Sequence, residues 1–174
     1  MKPSKQGDLD NFCGIYSLVN MISYLYKGKI KRKLLYLKLV NEFHHQHNLI
    51  DLVDTGMSNV EMDSLIESVL AKGYYRQHYP IQISMPYRSK FHIKKTQLFK
   101  EINQFLNKKD GQSTSVIIGT QYHWSVVCHI DKHFIHFLDS SNFNKARLSS
   151  FSINNTQNCY QLGLDDIYFF ERET

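Results

Sequence analysis

Apolar positions in the first part of the chain recur every three or four residues, as on one face of a helix. The clearest run predicts a buried helix over 12–26, with Asp10 or Asn11 as its N-cap and Gly28 as its C-terminal stop. Its repeating apolar residues are Ile15, Leu18, Val19, Ile22 and Leu25.

Further helices are predicted in the same part of the chain. Ser58 and Glu61 form a capping box that starts one of them, and Gly73 ends it. The segment 74–85 is rich in Tyr and Ile and predicts one or two short strands instead. The additional predicted helices cover about 31–47, 58–73 and 96–108.

The pattern changes near Asp110 and Gly111, beyond which alternating apolar residues predict strands. The strands are expected at 114–120, 122–130, 133–139 and 166–171, with a weaker candidate at 147–153. Helices followed by an antiparallel sheet define an α+β fold. We therefore expect one domain over 1–174, with a helical lobe at 1–110 and a β lobe at 111–174.

Composition supports a single folded domain in a reducing compartment. The 174 residues are 42% hydrophobic, which is enough for a core. The three cysteines include no closely spaced pair, so free thiols are expected. The N-terminus has no apolar signal region and no stretch is long enough to cross a membrane. These features predict a cytoplasmic protein without membrane contact, and leave open its delivery outside the producing cell by a non-classical route.

Positive charge is concentrated in two stretches of a chain with a net charge of +5. Six Lys or Arg fall in 27–38 and seven in 88–109. Such stretches are usually solvated helix faces, although they could also dock an acidic protein. Nucleic acid is an unlikely partner because the chain has no helix-turn-helix, zinc-finger or aromatic RNA-binding motif. The sequence does not indicate an oligomeric state.

Cys13 is a candidate nucleophile because of its place at the start of the first predicted helix. Free backbone N–H groups and the helix dipole favour a negatively charged sulfur at that position. Gly14 leaves room for a substrate carbonyl to approach the main chain. The alternative is that Cys13 is a small buried apolar residue, as free cysteines commonly are.

His123 and Asp139 are candidates for the base and the residue that orients it. If 122–130 and 133–139 form a hairpin with a three-residue loop, these two residues lie directly opposite each other on one face. A two-residue loop would place Asp139 on the other face, so this hypothesis predicts an odd-numbered loop. The alternative for His123 is a histidine at the edge of the core.

These residues together resemble the papain-like cysteine peptidase superfamily. The resemblance rests on Cys13-Gly14 at a helix start, a later His123-Trp124-x-Val-Val strand and Asp139 after one further strand. It is closest to small bacterial members, namely peptidases that cut double-glycine leader peptides and effector-type peptidases and glutamine deamidases. It implies that Gln6 and the Cys13 N–H form the oxyanion hole. Gln6 lies one residue further upstream than the papain pattern has it, and Asn11 is the alternative donor.

The resemblance implies a cysteine hydrolase that attacks an amide bond of a protein or peptide through a thioester, as a peptidase. A glutamine deamidase or transglutaminase-type effector, and a catalytically silent peptide-binding domain, are the alternatives. No cofactor or metal is expected. Histidines are frequent, but His44 and His47 form only a helical pair, whereas a transition-metal site needs three or four convergent ligands. The other candidate metal ligands were His45, His129, His133, His136 and Cys128.

Overall fold

The protein is described from a computed structural model that covers residues 1–7, 10–90, 92–108, 112–153 and 159–173. Its helices are α1 (Cys13–Leu25), α2 (Arg32–Gln46), α3 (Leu49–Thr55), α4 (Asn59–Leu65), α5 (Gly73–His78) and α6 (Lys95–Leu106), with a π-helical turn at Ile66–Leu70 and a 3-10 turn at Leu148–Ser150. Its strands are β1 (Ile81–Ser84), β2 (Thr114–Thr120), β3 (Trp124–Ile130), β4 (Phe134–Leu138), β5 (Lys145–Arg147), β6 (Phe151–Ser152) and β7 (Tyr160–Arg172).

The strands form one sheet in the order β1-β7-β2-β3-β4-β5, with antiparallel neighbours throughout. The short strand β6 pairs with β7 in parallel. Mixed helices and an antiparallel sheet confirm the predicted α+β class. The predicted change of pattern at Asp110 and Gly111 lies outside the described residues.

The helix predictions are confirmed where a periodic apolar run has clear ends. Helix α1 differs from the prediction by one residue at each end, and α2 by one residue at each end. The capping box of Ser58 and Glu61 forms as expected. The helix that follows is continuous only to Leu65, after which the chain widens into the π-helical turn.

The prediction of strands alone over 74–85 is only partly correct. Only β1 is extended, whereas Gly73–His78 is helical. Tyr75 and Tyr79, four residues apart, both pack against the core, as residues on one helix face do. This packing outweighs the β propensity of tyrosine. Helix α3 was not predicted; Asn48 caps it by accepting from the Ile50 N–H at 2.9 Å.

The core has two parts, one on each face of the sheet. Helix α1 and the other early helices cover the face that carries Ile117 and Val126. Helix α6 covers the opposite face, where Leu98 and Ile102 pack among residues such as Val127. Strand β1 precedes α6 in the chain but pairs with β7, so both halves of the sequence build one sheet. Helix α1 packs against β2 and β3.

Among the described residues, no helix combines the length and apolar character needed to cross a bilayer.

Candidate active site

Cys13 is the first residue of α1 and is 6% exposed. The expected cap is absent: Phe12 occupies the N-cap position, and the helix has no side-chain cap. Asp10 acts just upstream instead, where its carboxylate accepts from the N–H groups of Gly7 at 2.9 Å and Phe12 at 3.2 Å. The first N–H groups of α1 are therefore not consumed by a capping side chain, which favours a negatively charged sulfur there.

Trp124 fixes the start of α1 against the sheet. The Ser17 hydroxyl donates to the Trp124 carbonyl at 3.0 Å, and the indole N–H donates to the Met57 carbonyl at 2.7 Å. Trp124 is buried and follows His123 directly. The first bond ties the helix that carries Cys13 to the strand that follows His123, and the second ties that strand to the segment between α3 and α4.

Gly14 has a packing role rather than the open approach expected from the sequence. A Cβ at this position would press into the Met57 side chain, with Met57 Cβ at 3.3 Å, and would lie 3.4 Å from Trp124 Cδ1. The Met57 contacts are tighter than ordinary van der Waals packing, whereas the Trp124 contact is an ordinary one. Met57 and Trp124 thus pack over Gly14, and a side chain there would require the Met57 side chain to move.

His123 and Asp139 are hydrogen-bonded. The His123 Nε2 lies 3.0 Å from Oδ1 and 2.9 Å from Oδ2 of Asp139. A carboxylate only accepts, so Nε2 carries the proton in this bond. In the neutral imidazole, Nδ1 is then the ring nitrogen that can accept a proton.

The predicted strand pairing, with His123 directly opposite Asp139, is wrong. Val127 pairs with Phe137, which by extension puts Ser125 rather than His123 opposite Asp139. Near the turn His129 pairs with His136, and the Asp131 N–H donates to the Phe134 carbonyl at 2.9 Å, so the loop is the two-residue type.

A β-bulge explains why His123 and Asp139 share a face although the loop has an even number of residues. The register shifts between Val127 and His129, so Cys128 is an extra residue on β3. A single extra residue reverses the alternation of side chains. His123 and Asp139 thus return to one face, diagonal to each other. Cys128 itself is half-buried, with its sulfur 3.4 Å from the His136 carbonyl.

Asp139 is buried and surrounded by hydrogen-bond donors. It accepts from the Ser125 hydroxyl at 2.6 Å and from the N–H and hydroxyl of Ser141 at 2.7 and 2.6 Å. Burial acts to raise the pKa of Asp139, but the bonds from His123, Ser125 and Ser141 outweigh it and hold the pKa below its usual range. The residue is therefore a fixed negative charge behind the imidazole.

The imidazole of His123 interacts with both partners. Burial acts to lower its pKa, but hydrogen bonds to Asp139 and to the Cys13 thiol raise it to about 10. His123 thus lies between the carboxylate of Asp139 and the cavity that holds Cys13.

The two candidate oxyanion donors are placed differently. Gln6 lies beside the Asp139 segment, where its N–H donates to the Ser140 carbonyl at 3.0 Å and its Oε1 accepts from the Ser140 hydroxyl at 3.1 Å. Asn11 lines the cavity that holds Cys13. Its Nδ2 already donates to the carbonyls of Val53 at 2.7 Å and Asp54 at 3.0 Å. Both Asn11 amide hydrogens are therefore engaged with the end of α3.

Cys13 and His123 share a cavity of about 260 Å³. Its floor is the start of α1, one wall is the loop that ends α3, and the other wall is the turn between β2 and β3. Tyr122, at the tip of that turn, is 80% exposed. Gln121 ties the turn down by exchanging backbone and side-chain bonds with Gln161 and donating to the Cys159 carbonyl.

Three residues of the site were not predicted as such from the sequence: Ser125, Ser141 and Tyr122. Ser125 is two residues beyond His123, which directly precedes β3. The alternation of side chains along an extended chain would therefore have placed both on one face. Ser141 follows Asp139 by two residues, a spacing at which a serine often bonds a neighbouring carboxylate or main chain. No comparable signal in the sequence marks Tyr122.

The remaining histidines do not converge. Within the part of the chain that the structure describes, no group of three or more His, Cys, Asp or Glu residues is arranged to hold a metal. His136 binds Asp131 at 2.7 Å, and the rings of His47 and Phe43 are 4.9 Å apart. Part of the second basic stretch is also engaged within the protein, since Arg88 binds Asp63 at 2.6 Å and Tyr168 at 3.0 Å.

In comparisons with known proteins, no protein-family model, curated protein or solved structure matches the chain.

Proposed function

We propose that this protein is a papain-like cysteine hydrolase in which Cys13 is the nucleophile, His123 the acid–base and Asp139 the residue that orients the imidazole. The observation that carries the proposal is that one imidazole bonds a buried carboxylate at 2.9 Å and lines the same cavity as the thiol at the head of α1. A thiol, an imidazole and a carboxylate in series are the arrangement required for nucleophilic catalysis.

The reaction begins with proton transfer from the Cys13 thiol to His123, which gives a thiolate and an imidazolium. The thiolate sulfur attacks the carbonyl carbon of the substrate amide, and the carbonyl π electrons move to oxygen. The Cys13 N–H and the Gln6 side chain stabilise that negative oxygen. The intermediate then collapses: the C–N bond breaks, His123 gives its proton to the leaving nitrogen, and a thioester to Cys13 remains.

Water completes the cycle. His123, now neutral, takes a proton from water as the water oxygen attacks the thioester carbon. Collapse breaks the C–S bond, releases a carboxylic acid and returns the proton to the sulfur of Cys13. Throughout, the negative charge of Asp139 stabilises the imidazolium and fixes its orientation.

The substrate is proposed to be a backbone amide of a protein or peptide, which makes the protein a peptidase. A glutamine deamidase would use the same residues on a side-chain amide, with ammonia as the leaving group. A silent peptide-binding domain would have no need to keep a thiol, an imidazole and a carboxylate in one chain of contacts.

The test is incubation of the protein with a peptide library whose amines are blocked, followed by mass spectrometry. New amines that depend on Cys13 are expected, and Cys13→Ala should remove them. Cys159→Ala is the matched control, because Cys159 is also a free thiol but lies outside the site. Conversion of glutamine to glutamate without new amines would contradict the peptidase. If neither new amines nor glutamate appears, or if activity survives in Cys13→Ala, the protein is not a cysteine hydrolase of the proposed kind.

A further inference from the structure

A second cavity adjoins the one that holds Cys13 and is lined in part by His123. It has a volume of about 190 Å³ and shares Thr120, Tyr122 and His123 with the cavity that holds Cys13. Pockets for whole small-molecule ligands are larger, roughly 300–1,000 Å³. This cavity has the scale of one side chain.

The walls of this cavity are aromatic and aliphatic. Phe143 stacks on Phe137 with ring centroids 4.9 Å apart and meets Tyr160 at 5.1 Å, and Tyr160 meets Phe151 at 5.3 Å. Ile118 closes the cavity from β2. Packed aromatic rings hold their positions, so the cavity is a preformed apolar pocket rather than a loose gap.

The serine and threonine hydroxyl groups in the wall are already engaged within the protein. Ser125 and Ser141 both donate to Asp139. The Thr120 hydroxyl bonds the His123 carbonyl at 3.2 Å and accepts from the Tyr122 N–H at 3.4 Å. A polar occupant would find these groups satisfied and would lose its own hydration, whereas an apolar occupant gains by burial.

The position of the cavity relative to His123 sets which part of a substrate it can take. In the proposed reaction the acyl carbon bonds Cys13, and the leaving nitrogen receives its proton from His123. The acyl part of the substrate therefore lies in the cavity of Cys13. The leaving part lies beside His123, whose side chain also lines the apolar cavity.

We infer that this cavity, which we call the leaving-side pocket, binds an apolar side chain on the residue that follows the cut bond. The inference rests on the proposed function. The substrate class is then a peptide with an aliphatic or aromatic residue directly after the scissile bond. It also requires that the leaving group carry a side chain, which an ammonia-releasing deamidase substrate does not have.

The test uses the amine-blocked peptide library and reads the first residue behind each new amine. Leu, Ile, Met and Phe are expected to be enriched there over Asp, Glu and Lys by about ten-fold or more, since a hydrophobic pocket discriminates by about that much for each methylene. Phe143→Ala, which removes one wall, should reduce the enrichment several-fold. Phe134→Ala should leave it unchanged, because Phe134 lies in β4 under Lys145 and Arg147 and does not line the pocket.

The outcomes separate the two claims. Cleavage that depends on Cys13 but shows no apolar preference after the cut would overturn the leaving-side pocket and leave the peptidase intact. The same is true if Phe134→Ala changes the preference as much as Phe143→Ala. Absence of Cys13-dependent new amines would overturn the peptidase and the pocket together. The wild-type profile decides the matter even if Phe143→Ala does not fold.

Discussion

The hydroxyl of Ser125 donates a hydrogen bond of 2.6 Å to Oδ2 of Asp139. Both residues are buried, at 3% and 1% exposed. Asp139 therefore faces its charge partner His123 on one side and a neutral donor on the other. Ser125 positions the carboxylate without touching the thiol, so it is a positioning residue of the proposed site.

Ser125→Ala should lower kcat/KM about ten-fold, since a hydrogen bond to a charged group contributes about 1.5–3 kcal/mol. The hydroxyl also helps to hold the pKa of Asp139 low. Its loss should raise that pKa and move the acidic limb of the pH–activity profile to higher pH. Ser125→Thr, which keeps the hydroxyl, should restore the limb.

A matched control for this prediction is Ser115→Ala in β2. Ser115 is fully buried, and its hydroxyl has no hydrogen-bond partner among the residues that the structure describes. Loss of this hydroxyl should leave the pH profile where it is. If both variants move the acidic limb equally, Ser125 acts through general packing and not through Asp139.

Gln6 and Asn11 should respond differently to substitution by alanine. Gln6→Ala is expected to lower kcat by about 10²–10³, because in the proposed reaction the Gln6 side chain donates to the oxyanion. Asn11→Ala should instead lower stability, by about 1–3 kcal/mol, because the Asn11 amide holds the carbonyls of Val53 and Asp54. Steady-state kinetics and urea unfolding of both variants separate these roles. A larger loss of kcat in Asn11→Ala would reverse the assignment.

Gly14→Ala tests the packing account of that glycine. The new methyl group would press on Met57, so the variant should be destabilised despite the better helix propensity of alanine, which is worth about 1 kcal/mol. The cost should be smaller in a Met57→Ala background, where the space is open. Urea unfolding of the four proteins measures this coupling. Equal costs in both backgrounds would show that the glycine serves another purpose.

The raised pKa of His123 predicts a pH-dependent contribution to stability. The folded-state pKa of about 10 lies above the ordinary value of 6.5. The stabilisation is therefore fully present below about pH 6.5 and is lost as the pH rises through about 10. The difference in unfolding free energy between the wild type and His123→Gln should shrink over that window. A difference that grows with pH would show that His123 is buried as the neutral form.

The sequence predicts those parts of the fold that local signals determine. The apolar period of α1 and the capping box of Ser58 and Glu61 need no tertiary information, and both are confirmed. The helix at Gly73–His78 was missed because the packing of its tyrosines against the core outweighs their local preference. Local sequence also gives no information on contacts between residues far apart in the chain. The packing of Met57 over Gly14 was therefore not predicted.

The pairing of His123 with Asp139 was predicted for the wrong geometric reason. Loop parity alone cannot give the register because Cys128 adds a residue within β3. Nothing in the alternating pattern of that strand distinguishes a bulged residue from a regular one. The two residues still share a face because the bulge and the even loop offset each other.

The contact between Cys13 and His123 is tested most directly by the rate at which each cysteine reacts with iodoacetamide at neutral pH, followed by mass for the wild type and His123→Ala. Cys13 should react fastest in the wild type, because a thiolate is the reactive form and the imidazolium stabilises it. Cys128 should be slow, since burial raises its pKa. His123→Ala should slow Cys13 at least ten-fold and leave Cys128 and Cys159 unchanged. Equal rates for the three cysteines, or a Cys13 rate indifferent to His123, would contradict the proposed site.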